Sequence, residues 1–161
     1  MSEKIFEELT ALLDEHHARY RVVEHPEAGK SEEVAKIRGT ELGQGAKALV
    51  CKVKGNGVKQ AVLAILPADK QADLSKIAAA LGGTRASLAS PAEVNELTDC
   101  VFGAIPPFSF HPDLLLIADP SLLERHDELA FNAGTLVRSV ILNAEDYARI
   151  VQPKLVDFCQ A

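Results

Sequence analysis

Lys47-Ala48-Leu49-Val50-Cys51-Lys52-Val53 and Val58-Lys59-Gln60-Ala61-Val62-Leu63-Ala64-Ile65-Leu66 flank the triplet Gly55-Asn56-Gly57. Both runs are apolar and β-prone, and glycine and asparagine accept the positive φ of a tight turn, so the stretch reads as a β-hairpin. Toward the N-terminus, Ile5, Phe6, Leu9, Leu12 and Leu13 recur at helical spacing and predict a helix over 3–17 with one buried stripe. Residues 20–24 read as a strand closed by His25-Pro26. Ser31, followed by Glu32 and Glu33, is placed to cap a second helix that runs to about Ile37 before Gly39. A glycine-rich loop then leads into Lys47.

Toward the C-terminus, Asp73 caps a predicted helix to Leu81 that Gly82-Gly83 ends. Ser90-Pro91 with Glu93 opens another to about Leu97, and the gap between the two holds a short strand at most. Residues 114–118, 129–132 and 139–142 are strand candidates, and Asn143-Ala144-Glu145-Asp146 opens a last helix toward Val151. Helices and strands interspersed around an antiparallel hairpin predict a mixed α/β domain, with a mixed sheet covered by helices rather than a regular parallel one.

The chain of 161 residues, 47% hydrophobic, suffices for one domain spanning 1–161 around one sizeable core. With no Trp, six Phe and two Tyr, it lacks the stacking platforms of a general single-strand binder. Net charge is -6, yet residues 30–59 hold seven Lys/Arg against three Glu, a local +4 set in a remainder of -10. Such a distribution lets an acidic protein meet a phosphate-bearing ligand or one end of a nucleic acid, although a solvated mixed-charge surface gives the same count. Cys51, Cys100 and Cys159 lie far apart without Cys-x-x-Cys or Cys/His spacing, so neither a disulfide framework nor a zinc site is expected. No signal-peptide run follows Met1, and no stretch approaches the ~20 apolar residues of a membrane span. A cytoplasmic protein with no membrane partner is expected.

Gly43-Gln44-Gly45-Ala46-Lys47-Ala48 matches a degenerate dinucleotide-binding fingerprint, but it follows a predicted helix and enters a strand. No helix N-terminus would face a pyrophosphate, so the glycines are read as shaping the strand entry. Lys47 then stands at the mouth of a buried strand, able to meet a carboxylate, phosphate or ribose, or to be a solvated lysine. Gly103-Ala104-Ile105-Pro106-Pro107 reads as a rigid loop, since two prolines fix φ and remove donors while the glycine admits close approach to the backbone; a simple turn explains it equally well. His111 just beyond is a candidate for proton transfer or ribose contact, with a structural histidine as the alternative, and His25 before Pro26 is placed to end a strand at a cleft. Asn132-Ala133-Gly134-Thr135 suits a narrow pocket or a turn. Neither a Gly-x-Ser-x-Gly elbow nor a His-Glu-x-x-His motif is present.

Together, the strand entrance with Lys47-Ala48-Leu49-Val50, the Gly103 to Pro107 loop, the strand leading to Asp119 and Asn132-Ala133-Gly134 resemble the YbaK/prolyl-tRNA-synthetase-associated editing family nearly end to end. The wording of residues 38–47 and 108–112 is similar to its YeaK branch. The resemblance implies a largely antiparallel, barrel-like mixed sheet covered by helices. It also implies a free-standing enzyme that hydrolyses the ester between a wrong amino acid and the terminal adenosine of tRNA, without cofactor or metal. Lys47, Gly103 and Asn132 become the catalytic-site candidates. Lys47 anchors the terminal ribose or phosphate, backbone groups at Gly103 position ester or water, and Asn132 and Gly134 line the aminoacyl pocket. His25, Ala104, Ile105, Pro107, His111, Ala133 and Gly134 are the substrate-binding candidates. Ser, Thr or Ala are the implied cargoes and a tRNA hydroxyl the implied helper. Aminoacyl-tRNA is the implied partner at its acceptor end, with a synthetase as a second partner. Two other classes stay open on the residues alone: a non-catalytic module that holds aminoacyl-tRNA or a synthetase, and an unrelated small-molecule hydrolase.

Overall fold

A computed structural model describes residues 3–28 and 30–160 of the chain. The hairpin forms as its sequence predicts: β2 (Ala46–Gly55) pairs antiparallel with β3 (Val58–Pro67), from Gly55 opposite Val58 to Ala46 opposite Pro67. Asn56 and Gly57 form the two-residue loop with φ of 52° and 80°, the double positive φ of a type I′ turn. This register places Lys47 opposite Leu66 at the open end, far from the turn.

Preceding the hairpin are α1 (Glu3–Glu15), β1 (Tyr20–Glu24) and α2 (Ser31–Arg38), the last ended by Gly39 at φ 73°. The Ser31 side chain, expected to cap α2, lies outside the described residues, and Lys30 occupies the N-cap position without a side-chain hydrogen bond. After the hairpin come α3 (Leu74–Ala80), β4 (Arg85–Leu88) and α4 (Pro91–Thr98). Asp73 caps α3 by accepting from the Ser75 and Lys76 amides, and Ser90 with Glu93 forms the capping box of α4. The chain finishes with β5 (Leu114–Ala118), α5 (Ser121–Glu124), β6 (Glu128–Asn132), β7 (Arg138–Asn143), α6 (Ala144–Val151) and β8 (Lys154–Leu155). Neither α5 nor β8 is predicted from sequence, because four and two residues carry no readable period.

The mixed α/β class holds, with the strands divided between two sheets rather than gathered in one. Five strands run β4-β2-β3-β5-β8, with β5 parallel to both β3 and β8; three run β1-β7-β6, all antiparallel. A parallel bridge between Gly45 and Ala130 joins the sheets. Period-two alternation explains the unbroken apolar run of β3. Leu63 and Ile65 enter the main core with α1, β6, β7 and α6, while Val62, Ala64 and Leu66 enter a second cluster with Ile77, Ile117 and Phe158. The three cysteines are buried free thiols, which burial pushes up to about 11. No helix among the described residues is long and apolar enough to cross a membrane.

Asp119, just past β5, closes the second cluster. Its Oδ2 accepts from the Phe158 and Cys159 amides at 3.1 and 3.2 Å, and its Oδ1 accepts from the Ser121 amide and hydroxyl at 3.0 and 2.6 Å. Burial pushes this carboxyl up, but the hydrogen bonds outweigh it and hold the group below the ordinary carboxylate range. Asp119→Asn puts an NH₂ against N–H donors and should cost about 1–3 kcal/mol in urea unfolding at neutral pH. Because the folded-state value is depressed, the stabilisation is full above the unfolded value of ~3.9 and is lost as pH falls through the native one. The gap between wild type and variant should therefore narrow below about pH 4. A gap independent of pH would show that the charge contributes nothing.

Candidate active site

Beside the Gly45–Ala130 bridge a cavity of about 220 Å³ opens. Its walls are Arg38 at the end of α2, Lys47 and Ala48 at the start of β2, Gly103 and Ile105 from the loop before β5, and Asn132 at the end of β6. Val34, Gly45, Ala46, Ala68, Ala130 and Phe131 complete the lining, so alanines and glycines form about half of it beside a few larger apolar side chains. Among the described residues, two cations line it and no Asp, Glu, His or Cys does. The chemistry it offers is thus anion attraction, directed hydrogen bonds and steric exclusion.

Lys47 is half-buried, and its Nζ donates to the Lys70 carbonyl at 2.7 Å. Burial pushes its ammonium down, with Cys159 and Asp69 pulling the other way. The segment bearing Lys70 is itself fixed: the Ala68 amide donates to the Gly45 carbonyl at 2.8 Å, and Arg125 forks onto Asp69 at 2.8 and 2.6 Å. A Cβ at Gly43 would stand 2.7 Å from the Arg125 guanidinium, which would have to shift, and one at Gly45 would stand 3.0 Å from the Ala68 Cβ, so both glycines allow close packing ahead of Lys47.

Three donors immobilise the Gly103 loop. Asn132 Nδ2 donates to the Gly103 carbonyl at 2.7 Å, the Gly134 amide donates to Ala104 at 2.8 Å, and the buried Tyr147 hydroxyl donates to Pro107 at 2.7 Å. Gly103 and Gly134 both hold positive φ, 84° and 85°, which an L-side chain resists. Asn132, 5% exposed, also donates to Ala28 at 3.0 Å, while its Oδ1 accepts from Arg38 Nη2 at 3.1 Å and stands 3.1 Å from Ser139 Oγ. Both halves of the amide are occupied by protein groups. Burial lowers the Arg38 guanidinium to about 10, which leaves it charged at neutral pH.

Of the residues singled out from sequence, Lys47, Gly103, Ile105 and Asn132 meet at the cavity. Ala104, Pro107, Ala133 and Gly134 sit behind it: all are buried, and hydrogen bonds of Ala104, Pro107 and Gly134 hold the loop. His25 is buried outside the lining, its Nε2 2.7 Å from Ser139 Oγ and its Nδ1 2.9 Å from the Pro26 carbonyl. His111 does not line the cavity; its Nδ1 accepts from the Asp113 amide at 3.1 Å within a turn. Arg38 and Ser139 escaped notice as site residues. A basic residue in a last helical turn is adequately explained by the helix dipole. Ser139 carried a better signal, because a β6–β7 hairpin sets it directly opposite Asn132.

The sequence profile of the aminoacyl-tRNA editing domain matches residues 25–150, a span containing the whole cavity. The chain belongs to that family, the YbaK-like editing domains. Within it the chain falls in the YeaK branch: it is 70% identical over 150 residues, 93% of its own length and 90% of the relative's, to the multifunctional Ser/Thr-tRNA deacylase ProXp-y of Escherichia coli strain K12. The ProXp-y of Escherichia coli O157:H7 matches equally. Among solved structures, one provisionally described as a trans-editing enzyme for prolyl tRNA synthetase superposes with a TM-score of 0.80 at 26% identity, covering 97% of both chains. A hypothetical protein of known structure shares the fold alone, with TM-score 0.84 at 18% identity over 94% of this chain and 99% of its own.

Asn132→Ala strips partners from the Gly103 and Ala28 carbonyls together and should cost about 2–4 kcal/mol in urea unfolding. Lys47→Met, which gives up one hydrogen bond from a half-buried ammonium, should stay within about 1 kcal/mol of wild type. Equal losses for the two would contradict this division between frame and anchor.

Proposed function

We propose that the chain, as a single editing domain at work in the cytoplasm, hydrolyses the ester of a mischarged small amino acid on tRNA. Ser and Thr are the foremost cargoes and Ala the next. The reading rests above all on one observation, a small cavity with Lys47 and Arg38 in its walls and no side-chain base. An aminoacyl ester is already activated, so it needs a positioned water or hydroxyl, donors for the developing oxyanion and an acceptor for one proton. Lys47 anchors the terminal ribose or phosphate, and the backbone around Gly103, held by Asn132, Gly134 and Tyr147, positions the ester. With no base in the lining, the vicinal hydroxyl of the terminal adenosine is the group that assists proton movement, and no metal is required. A cavity of about 220 Å³ admits small side chains and disfavours large ones by volume, a stronger filter than the ~1–3 kcal/mol that attraction gives per methylene. The relative's description as a Ser/Thr-tRNA deacylase supports the same cargoes.

A panel of mischarged tRNAs, followed for ester loss, tests this. Ser- and Thr-charged tRNAs should be deacylated, Lys47→Ala should slow the reaction about 100-fold or more through lost positioning, and a terminal 2′-deoxyadenosine should slow it comparably. Failure to deacylate any of them, with wild type equal to Lys47→Ala, would sink the reading. Retained tRNA binding without turnover would instead identify a holding module.

A further inference from the structure

The polar groups behind the cavity form one continuous chain, and its donors and acceptors can be assigned in one consistent direction. The Pro26 carbonyl can only accept, so His25 Nδ1, 2.9 Å away, carries a proton. In the tautomer with its proton on Nδ1, the ring presents a lone pair at Nε2, 2.7 Å from Ser139 Oγ. Ser139 has one proton and two acceptors within reach, His25 Nε2 at 2.7 Å and Asn132 Oδ1 at 3.1 Å. Asn132 Oδ1 is already served by Arg38 Nη2, whereas no other donor among the described residues reaches His25 Nε2, so the Ser139 proton is assigned to His25, the shorter of its two contacts. Ser139 Oγ in turn accepts from Arg38 Nε at 2.8 Å. Asn132 Nδ2, facing two carbonyls, donates to Ala28 and Gly103.

Every bond in this chain therefore runs away from Arg38. One arm passes from Arg38 Nη2 through the Asn132 amide to the Gly103 carbonyl; the other passes from Arg38 Nε through Ser139 and His25 to Pro26. We propose that Arg38 is a positioning residue that sets the direction of the whole chain, and that through the Asn132 amide it holds the Gly103 backbone in its working orientation. A guanidinium is suited to this because it only donates and its planar fork reaches two acceptors at once. A lysine keeps the charge but cannot hold Asn132 and Ser139 in that fixed geometry. With Arg38 gone, the Ser139 proton can turn to Asn132 Oδ1, and the amide loses its charged partner.

The kinetic arm of the test rests on the deacylase reading. Arg38→Lys should lower kcat about 10- to 100-fold with KM within about threefold, since ester positioning rather than tRNA affinity is lost. Combined with Ser139→Ala, the loss should fall short of the product of the two single losses, as both act on one chain. A KM rise with kcat intact would overturn the proposal in favour of direct contact between Arg38 and tRNA, and wild-type kinetics in Arg38→Lys would overturn it outright. The second arm needs no activity: in ¹⁵N-labelled wild type, His25 should carry its ring proton on Nδ1, and the Asn132 side-chain NH₂ should exchange with water at least about tenfold slower than in Arg38→Lys. A proton on Nε2, or unchanged Asn132 exchange, overturns it. Should Arg38→Lys fail to fold, Ser139→Ala takes its place with the same kinetic split and a smaller rise in exchange. A wild type that deacylates nothing sinks the functional reading alone, and the spectra still decide this one.

Discussion

Register in the β2–β3 hairpin is the constraint from which the site descends. A strand has a side-chain period of two, so a slip of one residue would exchange the faces of the whole ladder. In β3 that would send Val62, Ala64 and Leu66 into the space shaped for Leu63 and Ile65. It would also move Lys47 off its place opposite Leu66, where Nζ reaches the Lys70 carbonyl. The Asn56-Gly57 turn holds the register from one end and the two-sided burial of β3 holds it along its length. Because β5 lies parallel to β3, the same ladder aims Asp119 at the C-terminal tail, and the Gly103 loop leads into that strand. A local turn preference is thereby carried across the five-stranded sheet.

The two sheets share the main core, where Leu63 and Ile65 pack with β6 and β7, and the slight Gly45–Ala130 bridge adds to it. Side-chain hydrogen bonds then fix the segments around the cavity. Asn132, at the end of β6, reaches the segment after β1, the end of α2, β7 and the Gly103 loop, and Tyr147 of α6 secures the far end of that loop. Loops usually carry mobility along with function, and here the prolines and three hydrogen-bond donors remove most of it. Rigidity matters more than reach when the substrate is already activated, because a misplacement of about 1 Å can cost ~100-fold in rate.

Most of the fold was legible because its signals are local. The predicted caps that form, Asp73 and Ser90, depend on a side chain and an amide two or three residues away, and Asn56-Gly57 depends on its own φ values. The division into two sheets was not legible, since which strand pairs with which is settled by packing among segments distant in sequence. The site divides the same way. Lys47, Gly103 and Asn132 stood out by residue type, yet their meeting depends on β2, the β5 approach and β6 converging. Arg38 had nothing local to mark it, because its partners lie 94 and 101 residues away. Nor could composition show that protein groups occupy both halves of the Asn132 amide at the cavity wall.

Charge is arranged to the same end. The basic excess over 30–59 includes Arg38 and Lys47, so part of what reads as a surface imbalance is the wall of the cavity. The rest of the molecule is acidic, and an acidic surface repels the body of a polyanion while a cationic recess attracts its end. Few phosphates are then neutralised, so affinity for tRNA should be modest and should fall only gently with salt, with a log–log slope near -0.7 per phosphate contacted on a single strand. A protein that must sample many charged tRNAs and act on few gains from weak attachment, provided the frame around the ester is stiff. The buried chain headed by Arg38 supplies that stiffness without placing another cation on the surface.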